Sequence, residues 1–155
     1  MNDNKNNEID SKDRVQKALS YCYLIIKRKI YTENEIRSKV SRKFGEDIVD
    51  IIINKLKKED LVNDEIYIKL WVRDRIEFHP EGIIRMKFEL NRKGIHDSII
   101  YDYFIKNSVN EDTMIRKLIK KKMKNNGINR DKLYNFLLRR GFVSEKISNI
   151  LNEYY

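Results

Sequence analysis

Cysteine is nearly absent. Cys22 stands alone, so no internal disulfide can form, and the composition suits a reducing compartment. Cys22 sits within an apolar helical run, which makes it a buried small hydrophobe rather than a reactive thiol. Proline occurs once and glycine five times in 155 residues, too little punctuation for a turn-rich β protein and a bias toward long helices. No run approaches the ~18 apolar residues of a membrane span. The opening MNDNKNNEIDSKD is polar where a secretory signal is apolar. These absences predict a soluble, cytoplasmic chain that meets no membrane and begins with a flexible polar tail over residues 1–10.

Catalytic signatures are missing as well. There is no GxxxxGKS/T phosphate loop, no GxGxxG and no nucleophile elbow, which argues against nucleotide hydrolysis, dinucleotide redox chemistry and a hydrolytic triad. His79 and His96 have no second His or Cys at metal-ligand spacing, so no zinc site is expected. The acid pair Asp64-Glu65 falls at a helix start, where the dipole favours negative charge without catalysis. The reading is a non-enzyme with no cofactor.

What is present is charge and repetition. Net charge is +9, and it is uneven. Residues 14–63 carry 12 basic against 7 acidic side chains, 64–109 carry 8 against 8, and 110–155 carry 11 against 5. Two basic ends flank a neutral middle, which suits a polyanionic or acidic partner; lysine that merely solvates helices explains the same count.

A short signature recurs 47 positions apart: Leu90 to Ile95 reads L-N-R-K-G-I, and Leu137 to Phe142 reads L-L-R-R-G-F. The same offset pairs Trp71 with Leu118, Val72 with Ile119, Met86 with Leu133 and Ile100 with Ile147. A more divergent copy lies ahead, where Ile36 and Val40 fall 50 residues before Met86 and Leu90. A fixed offset that preserves apolar positions marks a repeated supersecondary unit. The predicted fold is all-α: three tandem three-helix repeats over 11–62, 63–109 and 110–155, forming an elongated, curved array of units too small to close a core alone.

Helical periodicity places the elements. In the first repeat, Asp10 or Ser11 is read as the cap of a helix reaching about Lys29, with Val15, Leu19, Cys22, Tyr23 and Ile26 on one stripe. Thr32-Glu33-Asn34-Glu35 reads as a capping box opening a helix that buries Ile36, Val40 and Phe44, and Ile48, Ile51, Ile52 and Leu56 form the third inward face. In the second repeat, Asn63 caps a helix with Tyr67, Ile68, Trp71 and Val72 inward, stopped by His79-Pro80. Met86 and Leu90 face inward on its second helix, which ends at Gly94; Ile99, Ile100, Tyr103 and Phe104 mark its third. In the third repeat, Asn110 caps a helix ended by Asn126-Gly127, Leu133, Phe136 and Leu137 precede Gly141, and Ser144 caps the last helix.

Basic residues are the candidate contacts. Arg116, Lys120 and Lys124 lie a turn apart on one helix that also carries Lys117, Lys121 and Lys122, a spacing suited to a phosphate backbone and equally to a solvated face. Arg92-Lys93 and Arg139-Arg140 close second helices, where they either offset the negative dipole end or touch a partner.

The run Leu61 to Arg75, L-V-N-D-E-I-Y-I-K-L-W-V-R-D-R, resembles the central signature of the RecX regulatory family. Glu89 to Ile95 (E-L-N-R-K-G-I), after the glycine at Gly82, is similar to that family's following stretch. Tyr134 to Phe142 is similar to its C-terminal Y-x-x-L-x-R-R-G-F element, and Arg28 to Val40 to an early one. Asn63 stands where the family favours aspartate, and Ile68 where alanine is usual.

The resemblance spans about residues 15–153 and implies three tandem three-helix repeats. It also implies that the chain binds the RecA recombinase filament and the single-stranded DNA in or beside it; the chain itself is expected to be a monomer. There it would restrain ATPase, strand exchange and filament extension in recombination, DNA repair and the SOS response. The residues assigned to partner or nucleic-acid contact are Arg73, Arg85, Lys87, Arg92, Lys93, Arg116, Lys117, Lys120, Lys121, Lys124, Arg139 and Arg140. The competing readings are a helix-turn-helix-like DNA-binding regulator acting without RecA, and a helical-repeat adaptor for another acidic protein.

Overall fold

The computed structural model describes residues 3–124 and 128–155, and every regular element within them is helical. The order is α1 (Asp3–Ile26), α2 (Glu33–Phe44), a 3-10 turn (Glu46–Ile48), α3 (Val49–Lys58), α4 (Asp64–Phe78), α5 (Ile83–Arg92), α6 (Asp97–Lys106), α7 (Glu111–Met123), α8 (Arg130–Arg139) and α9 (Ser144–Leu151). Three groups of three helices make the all-α repeat array that the periodicity predicted. Among the described residues, no helix is long and apolar enough to cross a membrane.

Local chemistry explains most boundaries. Thr32 closes a full capping box with Glu35: its hydroxyl accepts the Glu35 N–H at 3.1 Å, and the Glu35 carboxylate accepts the Thr32 N–H at 3.0 Å. The Asn63 side chain accepts the N–H groups of Glu65 and Ile66, and Asn110 accepts that of Thr113. Asn129 and His96 cap α8 and α6 in the same way, roles the sequence pattern did not assign. α4 stops at Phe78, ahead of His79-Pro80. Gly94 and Gly141 follow α5 and α8 at φ +78° and +81°, the left-handed region that glycine enters without steric cost.

Several expectations need correction. Helix α1 does not start at Asp10 or Ser11 but runs from Asp3, because no glycine or proline interrupts the segment. Ser144 is the first residue of α9 rather than its cap; Val143 holds that place and offers no side-chain acceptor. Ile51 points outward at 54% exposure, and α3 buries Val49, Ile52, Ile53 and Leu56 instead. The 3-10 turn before it, at three residues per turn, shifts the phase of the inward stripe. The expected stop at Asn126-Gly127 lies outside the described residues.

The chain divides into two compact units, one reaching through Tyr67 and including Lys93–Ile95, the other comprising Ile68–Arg92 and His96–Tyr155. The first holds a continuous apolar cluster that includes Ala18, Leu19, Cys22, Ile36, Val40, Ile52 and Leu56. Burial pushes the Cys22 thiol up to about 11, as for an inert core side chain. In the second, Ile68, Val72, Met86, Leu90, Ile115, Ile119, Leu133 and Leu137 are fully enclosed. Trp71, expected in the core, is only half-buried, with the Arg75 guanidinium 4.6 Å from its ring. Tyr103, Phe104 and Phe136 are half-buried as well.

Candidate functional site

The recurring R-K-G-I and R-R-G-F elements are joints. In the first unit, the Thr32 hydroxyl donates to the Lys93 carbonyl at 3.0 Å, and the Lys93 ammonium lies 3.3 Å from the Glu35 carboxylate. Burial alone would lower the Lys93 ammonium, but Tyr67 and Glu35 outweigh it and raise it. In the second unit, the Gly82 N–H donates to the Arg140 carbonyl at 2.8 Å. The Arg85 guanidinium donates to the Arg139 carbonyl at 3.0 Å, and that of Arg140 to the Pro80 carbonyl at 3.0 Å. Thr32 and Gly82 occupy matching places at the 50-residue offset, as do Lys93 and Arg140 at 47.

A second contact recurs with the same periods. The Asp64 carboxylate accepts the Glu33 N–H at 2.9 Å, and the Glu111 carboxylate accepts the Ile83 N–H at 2.9 Å. Each acid opens the first helix of one repeat and satisfies an orphan donor at the start of the preceding repeat's second helix. Glu111 is 3% exposed and is also held by Lys146 at 2.9 Å, so its charge is paired. The sequence reading attributed the acid at Asp64 to the helix dipole alone. The signal that reveals its second role is the 47-residue spacing of Asp64 and Glu111.

These joints occupy several of the candidate cations. Arg85 bridges Glu81 and Glu89 at 3.3 and 3.4 Å. Lys93 and Arg140 are half-buried in the joints. Arg116 forms a two-pronged pair with Glu153, closest approach 2.6 Å, so the free Arg116-Lys120-Lys124 stripe is corrected. The Lys117 ammonium donates to the Glu77 carbonyl at 3.2 Å.

The rest stand clear. Among the described residues, Arg73, Lys87, Arg92, Lys120, Lys121, Lys124 and Arg139 are exposed and make no ion pair. On α7, Lys117, Lys120, Lys121 and Lys124 follow three- and four-residue spacing and share one face. Met114, Ile115, Leu118 and Ile119 are buried on the opposite side. Lys122 leaves that face, 4.6 Å from the Phe136 ring. The lysine face spans about 10 Å. It can meet two or more phosphates without giving up an internal pair.

Comparison with known proteins places the molecule. The chain is 33% identical to the regulatory protein RecX of Clostridium acetobutylicum over 96% of its own length and 73% of that protein. The chain belongs to the RecX family. The RecX family model for the second three-helix domain matches residues 63–102, from the α4 cap into α6. RecX of Clostridium perfringens strain 13 is 29% identical, covering 95% of this chain and 75% of the relative. A crystal structure of RecX from Lactobacillus salivarius superposes with a TM-score of 0.79 at 27% identity, covering 92% of this chain and 97% of that one. These relatives are named regulatory proteins.

In this RecX chain the motifs that carry the resemblance mix joint residues with exposed cations, since Arg73, Arg92 and Arg139 lie within them. Arg140 and Gly141 build a joint, whereas Lys120, Lys121 and Lys124 of α7 and Lys87 and Arg92 of α5 make no ion pair among the described residues.

Proposed function

We propose that this RecX chain is a non-enzymatic cytoplasmic regulator that binds the RecA recombinase filament on single-stranded DNA. There it restrains ATP hydrolysis, strand exchange and filament extension during recombination and DNA repair. The observation that carries the reading is the match to a RecX regulatory protein along 96% of the chain. The physical features support it. Tandem helical repeats are a scaffold type suited to a partner that is itself a repeating polymer. The α7 lysines supply cationic contacts for phosphates lying in or beside the filament.

The test is RecA ATP hydrolysis on single-stranded DNA with this chain added up to stoichiometric amounts. Turnover should fall as the ratio rises. No effect at any ratio or salt concentration overturns the proposal.

The same lysine face supports a second reading, a regulator that binds DNA without RecA. Tight binding to bare DNA that collapses with salt and is not improved by a RecA coat favours it. Weak binding to bare strands with strong binding to coated ones favours the first.

A further inference from the structure

Three matched pairs of positions, one pair on the second helix of each repeat, act as an internal control on the surface of α5. Met86 and Leu90 are buried on α5, as Ile36 and Val40 are on α2 and Leu133 and Leu137 on α8. That register sets Ile84 and Phe88 opposite Asn34 and Ser38 of the first repeat, and opposite Asp131 and Asn135 of the third. All six positions are exposed. The fold therefore accepts polar residues there twice, and only α5 places large apolar ones, Ile84 at 59% and Phe88 at 61% exposure. Scattered apolar surface is ordinary, but two neighbours four residues apart on one helical turn form an anchor pair.

The flanking charge says what the pair meets. Lys87 and Arg92 are exposed beside it, with the Arg92 guanidinium 5.9 Å from the Phe88 ring. The one acid of α5, Glu89, lies 3.4 Å from Arg85 and 3.8 Å from Arg75 and is taken up there. Within α5 the face is thus apolar and cationic; the acid at its border, Asp97 at the start of α6, accepts the Asn91 side-chain amide at 2.7 Å. A second copy docked face to face would set Lys87 and Arg92 against themselves. A nucleic acid would use Phe88 for stacking but finds on Ile84 neither charge nor hydrogen-bond donor, and α7 shows what this chain's purely cationic face looks like.

We infer that the Ile84–Phe88 face of α5 is a docking site for an acidic helical segment of a protein partner that carries apolar side chains. On the function proposed above, and resting on it, that segment belongs to a filament subunit. The mode is a helix ridge with apolar anchors at its centre and charge complementarity at its rim.

Two measurements decide it. In the first, the intact chain is titrated with a Glu/Leu amphipathic helical peptide, a Lys/Leu counterpart and an oligo(dT), while the Ile84 methyl and Phe88 ring signals are followed by NMR. Both signals should shift with the Glu/Leu peptide alone. Silence toward it, an equal response to the Lys/Leu peptide, or a shift with oligo(dT) overturns the inference. In the second, Ile84→Asn with Phe88→Ser, the residues the first repeat uses itself, is compared with the parent. The pair of substitutions should leave helicity unchanged and weaken binding to RecA-coated single strands by about tenfold or more. Unchanged affinity for the coated strand removes the filament subunit as partner. Loss of a concentration-dependent self-association assigns the face to a second copy and overturns the inference. If the parent chain does not bind coated strands at all, the functional proposal fails, and the peptide titration alone decides the face.

Discussion

A β-carbon on Gly82 would lie 1.9 Å from the Gly141 carbonyl oxygen and 2.5 Å from the Phe142 nitrogen, inside any real contact distance. The obstacle is backbone, so no side-chain rotation relieves it. Gly82→Ala should therefore destabilise the chain by about 1–3 kcal/mol, the range for overpacking a closed site, read as a lowered urea midpoint. A parental midpoint would mean that the joint has slack. Glu33 makes a gentler case. Burial alone would raise its carboxyl, but Lys57 at 2.9 Å and Arg37 at 2.9 Å outweigh it and hold it below the ordinary range. The folded state then binds fewer protons than the unfolded chain, so this contribution is present above the usual glutamate range and lost as pH falls through the folded value. Glu33→Gln should cost about 0.5–1 kcal/mol at neutral pH, as for a partly exposed pair. The gap should narrow as pH falls below the ordinary glutamate range and close only past the lowered value of the folded carboxyl, where the parent is protonated too. A gap that persists in acid would assign the effect to packing.

Helices were legible because their information is local. Three- and four-residue apolar spacing located Ile36 and Val40 on α2, Met86 and Leu90 on α5 and Leu133 and Leu137 on α8, and Thr32, Asn63 and Asn110 announced their caps one turn ahead. What failed depended on geometry that spacing does not encode. Ile51 turned outward because a short 3-10 turn re-aims α3, and Arg116 left the lysine stripe because Glu153, 37 residues on, reaches it. The candidate contacts divide for the same reason. A basic residue that reaches a distant carbonyl, as Arg85 and Arg140 do, reads the same in sequence as one that reaches water. Charge reversal separates the two on α7. Lys120, Lys121 and Lys124 are exposed and unpaired among the described residues, so their joint replacement by Glu should spare the fold. Under the proposed function it should weaken binding to single strands or coated filaments and flatten the log–log salt slope by about 2, from three lost phosphate contacts at about 0.7 each. An unchanged slope reduces the face to solvation.

At the scale of the molecule, a repeat here is completed by its neighbour, and the third repeat offers the cleanest case. Within the second unit, α5 begins with donors whose acceptors belong to residues 110–155: the Ile83 N–H on Glu111, the Gly82 N–H on the Arg140 carbonyl and the Arg85 guanidinium on the Arg139 carbonyl. Lys117 adds a contact to the Glu77 carbonyl at the end of α4. A chain ending at Val109 leaves all four groups without these partners. It also uncovers apolar surface that a three-helix unit has no other means to bury. At about 1 kcal/mol for each lost hydrogen bond, amide exchange protection in α5 should fall by about two to three orders of magnitude. The first unit carries its own apolar cluster, from Ala18 to Val62, and none of the lost contacts lies in it. Its α2 and α3 amides should keep their protection in the same sample. Hydrogen exchange resolved by residue gives both numbers at once. Equal loss in both units would mean that the chain folds as one cooperative body, and intact α5 would mean that the joints bind repeats together without stabilising them.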